Sequence, residues 1–166
     1  MLPAYVPNPI AVVCGGGRPI DLGRSLSSDG RRIFGDGKTI RGFLCGVAAG
    51  IAVGMVQVYA GPASGLDVPA HTFMTVTLLA TGALLGDLAK SFIKRRIGKE
   101  RGDQWLIADQ YDLVVGAGLL LLVFAPEWLF ANVTWQVAIA IIVITPLLHR
   151  VVNIIGYVLK VKDVPW

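Results

Sequence analysis

Asp109 and Asp112 stand three residues apart in the stretch DQYD, and Asp87 opens the stretch DLAKSFIKRRIGK. Residues at that spacing share one face of a helix, so the pair would set two carboxylates side by side, and these repel unless a cation lies between them. Alone, the pair is first of all a helix-capping pair, because acids are favoured in a first turn. Asp87, Lys90 or Ser91, and Lys94 likewise fall along one face within two turns, which leaves Asp87 open as a lysine's counter-ion or as a ligand. Together the three carboxylates suit a hard cation such as Mg²⁺, which takes one or two carboxylates plus substrate phosphates. Asp87, Asp109 and Asp112 are therefore the candidate metal ligands, and with Lys94 the candidate catalytic residues.

A second stretch, GDGKTIRG, bears on phosphate. It is not a P-loop: G-x-x-x-x-G-K-[ST] needs glycine where Arg32 stands, and a hydrophobic strand before it. What remains is the flexible turn Gly35-Asp36-Gly37, whose amides can approach an anion, followed by Lys38, Thr39 and Arg41 at the start of a helix. A helix entering a membrane presents its positive end and such cations at the height of the lipid phosphates. Lys90, Lys94 and Arg95, with the hydroxyls of Thr39 and Ser91, complete the candidate phosphate contacts. The plainer alternative is a turn, an N-cap and interfacial anchors. Aspartates for a metal, cations for phosphates and glycine amides at a membrane surface together describe phosphoryl or nucleotidyl transfer onto a lipid head group.

The chain that must position these residues has 166 of them, 54% hydrophobic and 16% charged, with a mean hydropathy of +0.65. That is too apolar for an ordinary soluble domain and predicts an all-α integral membrane protein, since the apolar segments lack the alternation of barrel strands. At about 20 apolar residues per crossing, the length allows roughly four to six helices. Apolar runs at 2–17, 42–60, 71–88, 113–130 and 134–157 predict five crossings in one domain over 1–166, the first of them interrupted by Pro3, Pro7 and Pro9. All 15 Lys and Arg residues fall in two charged loops, 18–41 and 89–112, or near the C-terminus, while the opposite loops offer only Asp67 and Glu127. The positive-inside rule then places both charged loops and the C-terminus in the cytoplasm and the N-terminus outside. Trp128 and Trp135 flank an outer loop as interface anchors would. The opening MLPAYVPNP lacks the positive n-region of a signal peptide and is expected to stay uncleaved. Cys14 and Cys45, without CxxC spacing, are expected to be small packing residues.

The net charge of +4 is thus a topological signal first. The basic loops carry acids and glycines and no aromatic stacking platform, so no nucleic-acid partner is expected. No Ser-His pair is available, with His71 on the outer side and His149 late in the last helix. Trp105, Tyr111 and Tyr157 fit interfacial packing. A transporter would need polar groups at the bilayer midplane, where these spans show mainly Gly, Ala, Thr and aliphatics. A non-catalytic scaffold would tolerate loss of Asp87, Asp109 and Asp112.

GDLAKSFIKRRIGKERGD, followed by DQYD, resembles the C-terminal signature of the CTP:phosphatidate cytidylyltransferases, GDL-x-x-S-x-x-KR-x-x-x-x-KD leading to DR-x-D. KTIRG resembles that family's KKT-x-EG element. Gln110 stands where the bacterial family has arginine, QWLIA replaces a glycine-histidine-rich run, and Arg41 replaces glutamate. With LPAYVPNP and DGRRIFGDGKTIRG, these departures make the chain most similar to the archaeal branch, the CDP-archaeol synthases, over essentially its whole length. The resemblance implies transfer of CMP from CTP to 2,3-bis-O-(geranylgeranyl)-sn-glycerol 1-phosphate, with release of pyrophosphate and Mg²⁺ as cofactor. It implies CTP and phosphate contacts at Gly35, Asp36, Gly37, Lys38, Thr39, Arg41, Lys90, Ser91 and Arg95, at the cytoplasmic face of the cell membrane. Phosphatidic acid is the alternative lipid, and homodimerisation stays open. Gly42, Gly46, Gly50, Gly82 and Gly86 are expected to let helices approach closely.

Overall fold

The computed structural model describes residues 1–65, 69–99, 103–161 and 164–165. Asp67, Arg101 and Lys162, whose charges enter the topological expectation, lie outside the described residues. The architecture is helical: α1 (Leu2–Tyr5), α2 (Pro7–Val13), α3 (Ile40–Ala60), α4 (Phe73–Arg96), α5 (Leu106–Phe124), α6 (Pro126–Asn132) and α7 (Trp135–Val158). A short 3₁₀ turn over Pro62–Ser64 follows α3. Hydroxyl caps mark three of the starts, with Thr39 accepting from the Gly42 amide, Thr72 from Thr75 and Thr134 from Val137. Lys94, Arg95 and Arg96 fill the last turn of α4, where the helix dipole favours cations.

Four helices are long and apolar enough to cross a membrane: Ile40–Ala60, Phe73–Arg96, Ile107–Phe124 and Trp135–Val158. At the N-terminus, where a fifth crossing was expected, stands the short apolar pair α1 and α2, within Leu2–Val13. At about 1.5 Å per residue that stretch reaches roughly 18 Å, well short of a hydrocarbon core of about 30 Å. Pro3 and Pro7 sit in first turns, where a missing N–H costs nothing. The expected loop at 89–112 is also largely helix, because α4 runs on to Arg96 and α5 begins at Leu106. Lys90, Lys94, Asp109 and Asp112 therefore stand on helices.

Glycines bring the helices together as expected. A Cβ at Gly42 would lie 2.6 Å from the Ala11 carbonyl oxygen, and one at Gly46 or Gly50 would lie 2.7 Å from that of Pro7 or Pro3. The descending series shows α1 and α2 running antiparallel to α3, with the chain's start near the midpoint of α3. A Cβ at Gly82 would meet Ala117 Cα at 2.6 Å, and Gly86 abuts the Asp112 carbonyl. Ala4, Leu79, Ala83, Leu113, Ala117 and Leu121 form the buried core between α1, α4 and α5.

On α7, Pro146 lacks the N–H that would bond the Ile142 carbonyl, and the Tyr111 hydroxyl donates to that carbonyl at 2.8 Å instead. Thr145 donates to the Ile141 carbonyl at 2.5 Å, and its Oγ1 lies 2.8 Å from the Tyr5 hydroxyl. Leu147, Val151 and Val158 are exposed on α7, as lipid-facing side chains would be. At the other end of the bundle Trp128 stacks on His71, 5.0 Å between ring centroids, and donates to the Ala70 carbonyl at 2.7 Å.

Candidate active site

The close approach of Gly86 to the Asp112 carbonyl sets Asp87 on α4 beside Asp112 on α5. Lys90, one turn beyond Asp87, fills the space between them. Its Nζ lies 2.6 Å from Asp112 Oδ2, 3.2 Å from Asp87 Oδ1 and 3.3 Å from Asp109 Oδ1. Lys38, from the loop before α3, pairs with Asp87 Oδ2. Lys94 Nζ lies 2.8 Å from Asp109 Oδ1 and donates to the Asp103 carbonyl at 2.6 Å. The sequence-predicted Asp87, Asp109, Asp112, Lys38, Lys90 and Lys94 thus form one network of ion pairs. Asp112 is the most enclosed, its side chain only 3% exposed.

Asp109 Oδ2 also accepts the Trp105 amide at 2.7 Å, the hydrogen bond of a helix-capping acid at the start of α5. Among the described residues, no group of three or more His, Cys, Asp or Glu is set as a ready-made metal cage. The three carboxylates instead share the Lys90 ammonium.

The turn before α3 is built by a residue outside the predicted set. Asp21 is 5% exposed, and its carboxylate accepts the amides of Gly23 at 3.1 Å, Phe34 at 3.0 Å and Gly35 at 2.9 Å. Arg32 donates to it from Nη2 at 2.6 Å and Nε at 3.3 Å. Burial alone would raise the Asp21 carboxyl, but the Arg32 guanidinium and the amides of Gly35, Phe34 and Gly23 hold it well below the usual carboxylate range. The sequence signal was faint: one of three acids in a basic loop, with Asp29 and Asp36, and no periodicity linking it to Arg32 or Gly35. A turn whose glycine adopts φ +90°, as Gly35 does, nonetheless leaves amides that need an anion.

Several predicted phosphate contacts are engaged elsewhere. The Gly35 amide is taken by Asp21. The Thr39 hydroxyl caps α3, 3.1 Å from the Gly42 amide. Exposed Asp36 pairs with Arg32 Nη1 at 2.7 Å, while Gly37 is exposed. Arg41 donates to the Cys14 carbonyl at 2.8 Å and to that of Gly15, clasping the end of α2 away from the carboxylates. Ser91 is buried one turn beyond Asp87. The Arg95 guanidinium borders Gly35, where a Cβ would meet Nη2 at 3.1 Å, and donates to the Lys99 carbonyl at 2.8 Å.

A buried or half-buried set of aspartates and lysines at one end of membrane helices is costly unless used, and the family model for CarS-like CDP-archaeol synthase matches residues 1–166. The chain belongs to the CDP-archaeol synthase family. It is 64% identical over 167 residues to the CDP-archaeol synthase of Methanoculleus marisnigri and 61% identical over 166 residues to that of Methanoregula boonei, covering 100% of each chain in both cases. It is also similar to a solved structure of an intramembrane enzyme for archaeal membrane lipids biosynthesis, with a TM-score of 0.74 and 42% identity over 93% of this chain and 90% of that one. The chain is accordingly a CTP-dependent cytidylyltransferase acting on a lipid phosphate.

Proposed function

We propose that this enzyme transfers CMP from CTP to 2,3-bis-O-(geranylgeranyl)-sn-glycerol 1-phosphate, with one cytidylyltransferase domain over 1–166 and its site at the cytoplasmic face of the cell membrane. The observation that carries the reading is the meeting of Asp87, Asp109 and Asp112 with Lys38, Lys90 and Lys94. A lipid phosphate oxygen attacks the α-phosphorus of CTP, a new P–O bond forms, the α–β P–O bond breaks and pyrophosphate leaves. The attacking phosphate is already an anion, so no general base is required. The protein's task is to bring two anions together and to stabilise charge on the leaving group. Lys38 and Lys90, with flexible stems and ammonium heads, turn from the aspartates onto the phosphates, and Lys94 keeps Asp109 in place from the α4 side.

The carboxylates supply the donor chemistry for Mg²⁺ without a preformed cage: Asp87, Asp109 and Asp112 bring hard oxygen donors around the Lys90 ammonium. When bound there, the ion supplies charge neutralisation across the triphosphate and departing pyrophosphate. The test is incubation of the detergent-solubilised protein with Mg²⁺, labelled CTP and either the geranylgeranyl ether-lipid phosphate or phosphatidic acid. Labelled CDP-lipid from the ether substrate is expected. Product from phosphatidic acid alone would keep the chemistry and overturn the lipid, and no product from either would overturn the reaction.

A further inference from the structure

We infer that Asp21 is a positioning residue for the nucleotidyl transfer, setting the affinity for CTP through Lys38. The inference rests on the cytidylyl-transfer reading of the Lys38 and Asp87 network. Lys38 is the residue of that network delivered from outside α4 and α5, so its placement depends on its loop.

The Lys38 backbone is held at two points. Its amide donates to the Gly35 carbonyl at 3.2 Å, and its carbonyl accepts the Ile20 amide at 2.8 Å. Both points lead to Asp21: Ile20 is its chain neighbour, and the Gly35 amide is bonded to its carboxylate. The same carboxylate holds Phe34 and Gly23 and receives Arg32, which also engages Asp36. One buried anion therefore ties both strands of the turn that presents Lys38. The bridge between Pro19 and Thr39 continues the tie into the cap of α3.

Without this anchor the turn keeps its sequence but loses the fixed point from which the lysine stem reaches Asp87. A cation that must find its place after the nucleotide arrives costs binding more than it costs the bond-breaking step, because ordering it draws on binding energy.

The experiment measures initial rates against CTP for the wild type, Asp21→Asn, Arg32→Gln and Lys38→Ala, and for each of the first two variants combined with Lys38→Ala. The expected result is a KM for CTP raised about tenfold by Asp21→Asn, with kcat changed less than about threefold, in line with loss of one charge-assisted anchor. In the Lys38→Ala background, Asp21→Asn should add less than about twofold, since the residue through which it acts is gone. Arg32→Gln removes the guanidinium while leaving the aspartate in place, so it gives the same pattern should Asp21→Asn fail to yield folded protein. An unchanged KM in a folded variant, or a rise that persists fully without Lys38, would overturn the inference. Absence of CDP-lipid from the wild type would instead sink the underlying reaction.

Discussion

Of the three carboxylates that meet Lys90, Asp112 has the least freedom to be replaced. It is nearly enclosed and touches Lys90 at 2.6 Å, so Asp112→Asn keeps the shape and removes a charge that the lysine and the proposed Mg²⁺ would both draw on. We expect kcat/KM to fall by about 100-fold or more, measured as CDP-lipid formed across a Mg²⁺ titration; full turnover would remove Asp112 from the metal site. Asp21 leads to an expectation about acid. Its folded-state value is depressed below the ordinary 3.8, so its stabilisation is fully present above that value and is lost as pH falls through the folded value. Melting of the wild type should therefore drop more steeply than that of Asp21→Asn as the pH is lowered below about 4, and parallel slopes would contradict the assignment. The contrast between these residues shows what was legible. Asp87, Asp109 and Asp112 stood out through helical spacing in an apolar chain, whereas Asp21 works through backbone amides, and amide geometry leaves no mark on the choice of neighbouring side chains.

At the level of elements, the clearest case is the hydrogen bond that replaces one lost to Pro146. The Ile142 carbonyl receives the Tyr111 hydroxyl at 2.8 Å, joining α7 to α5. Tyr111→Phe should cost about 1 kcal/mol of stability. In a Pro146→Ala background, where the introduced alanine donates its own amide to the Ile142 carbonyl, the same change should cost little. Thermal unfolding of the four variants measures this, and equal costs in both backgrounds would refute it. Tyr111 had read only as interfacial packing, because proline's freed carbonyl and the tyrosine that meets it lie on different helices. The glycines of α3 and α4 were legible, since a bare backbone in a span has few uses besides close approach. The N-terminal segment was read as a crossing from its apolar length. Its prolines are compatible with short helices in first-turn positions, and the run is too short in helical form to match the height of α3.

For the whole molecule, four long helices carry the loop before α3, the α4–α5 junction and the end of α7 to one end of the bundle by parity alone, whatever the depth of α1 and α2. That end is the one proposed above to face the cytoplasm, from the charge pattern. In a background with Cys14→Ala and Cys45→Ala, a membrane-impermeant maleimide applied to intact cells should leave Arg24→Cys unlabelled and label Phe73→Cys; the reverse would invert the topology. What sequence could not supply was the convergence, because Lys38 and Asp87 are 49 positions apart and nothing in either stretch names the other. The way they meet has a thermodynamic consequence. Three lysines and three aspartates in contact cancel in charge, so the resting site offers neither a free positive field for a nucleotide nor a free negative one for a metal. On the proposed reading each ligand would release the groups the other requires, which would make the two binding events mutually reinforcing. Calorimetric titration should show CTP binding weakly without Mg²⁺ and Mg²⁺ weakly without CTP, each tightened by the other by the same factor.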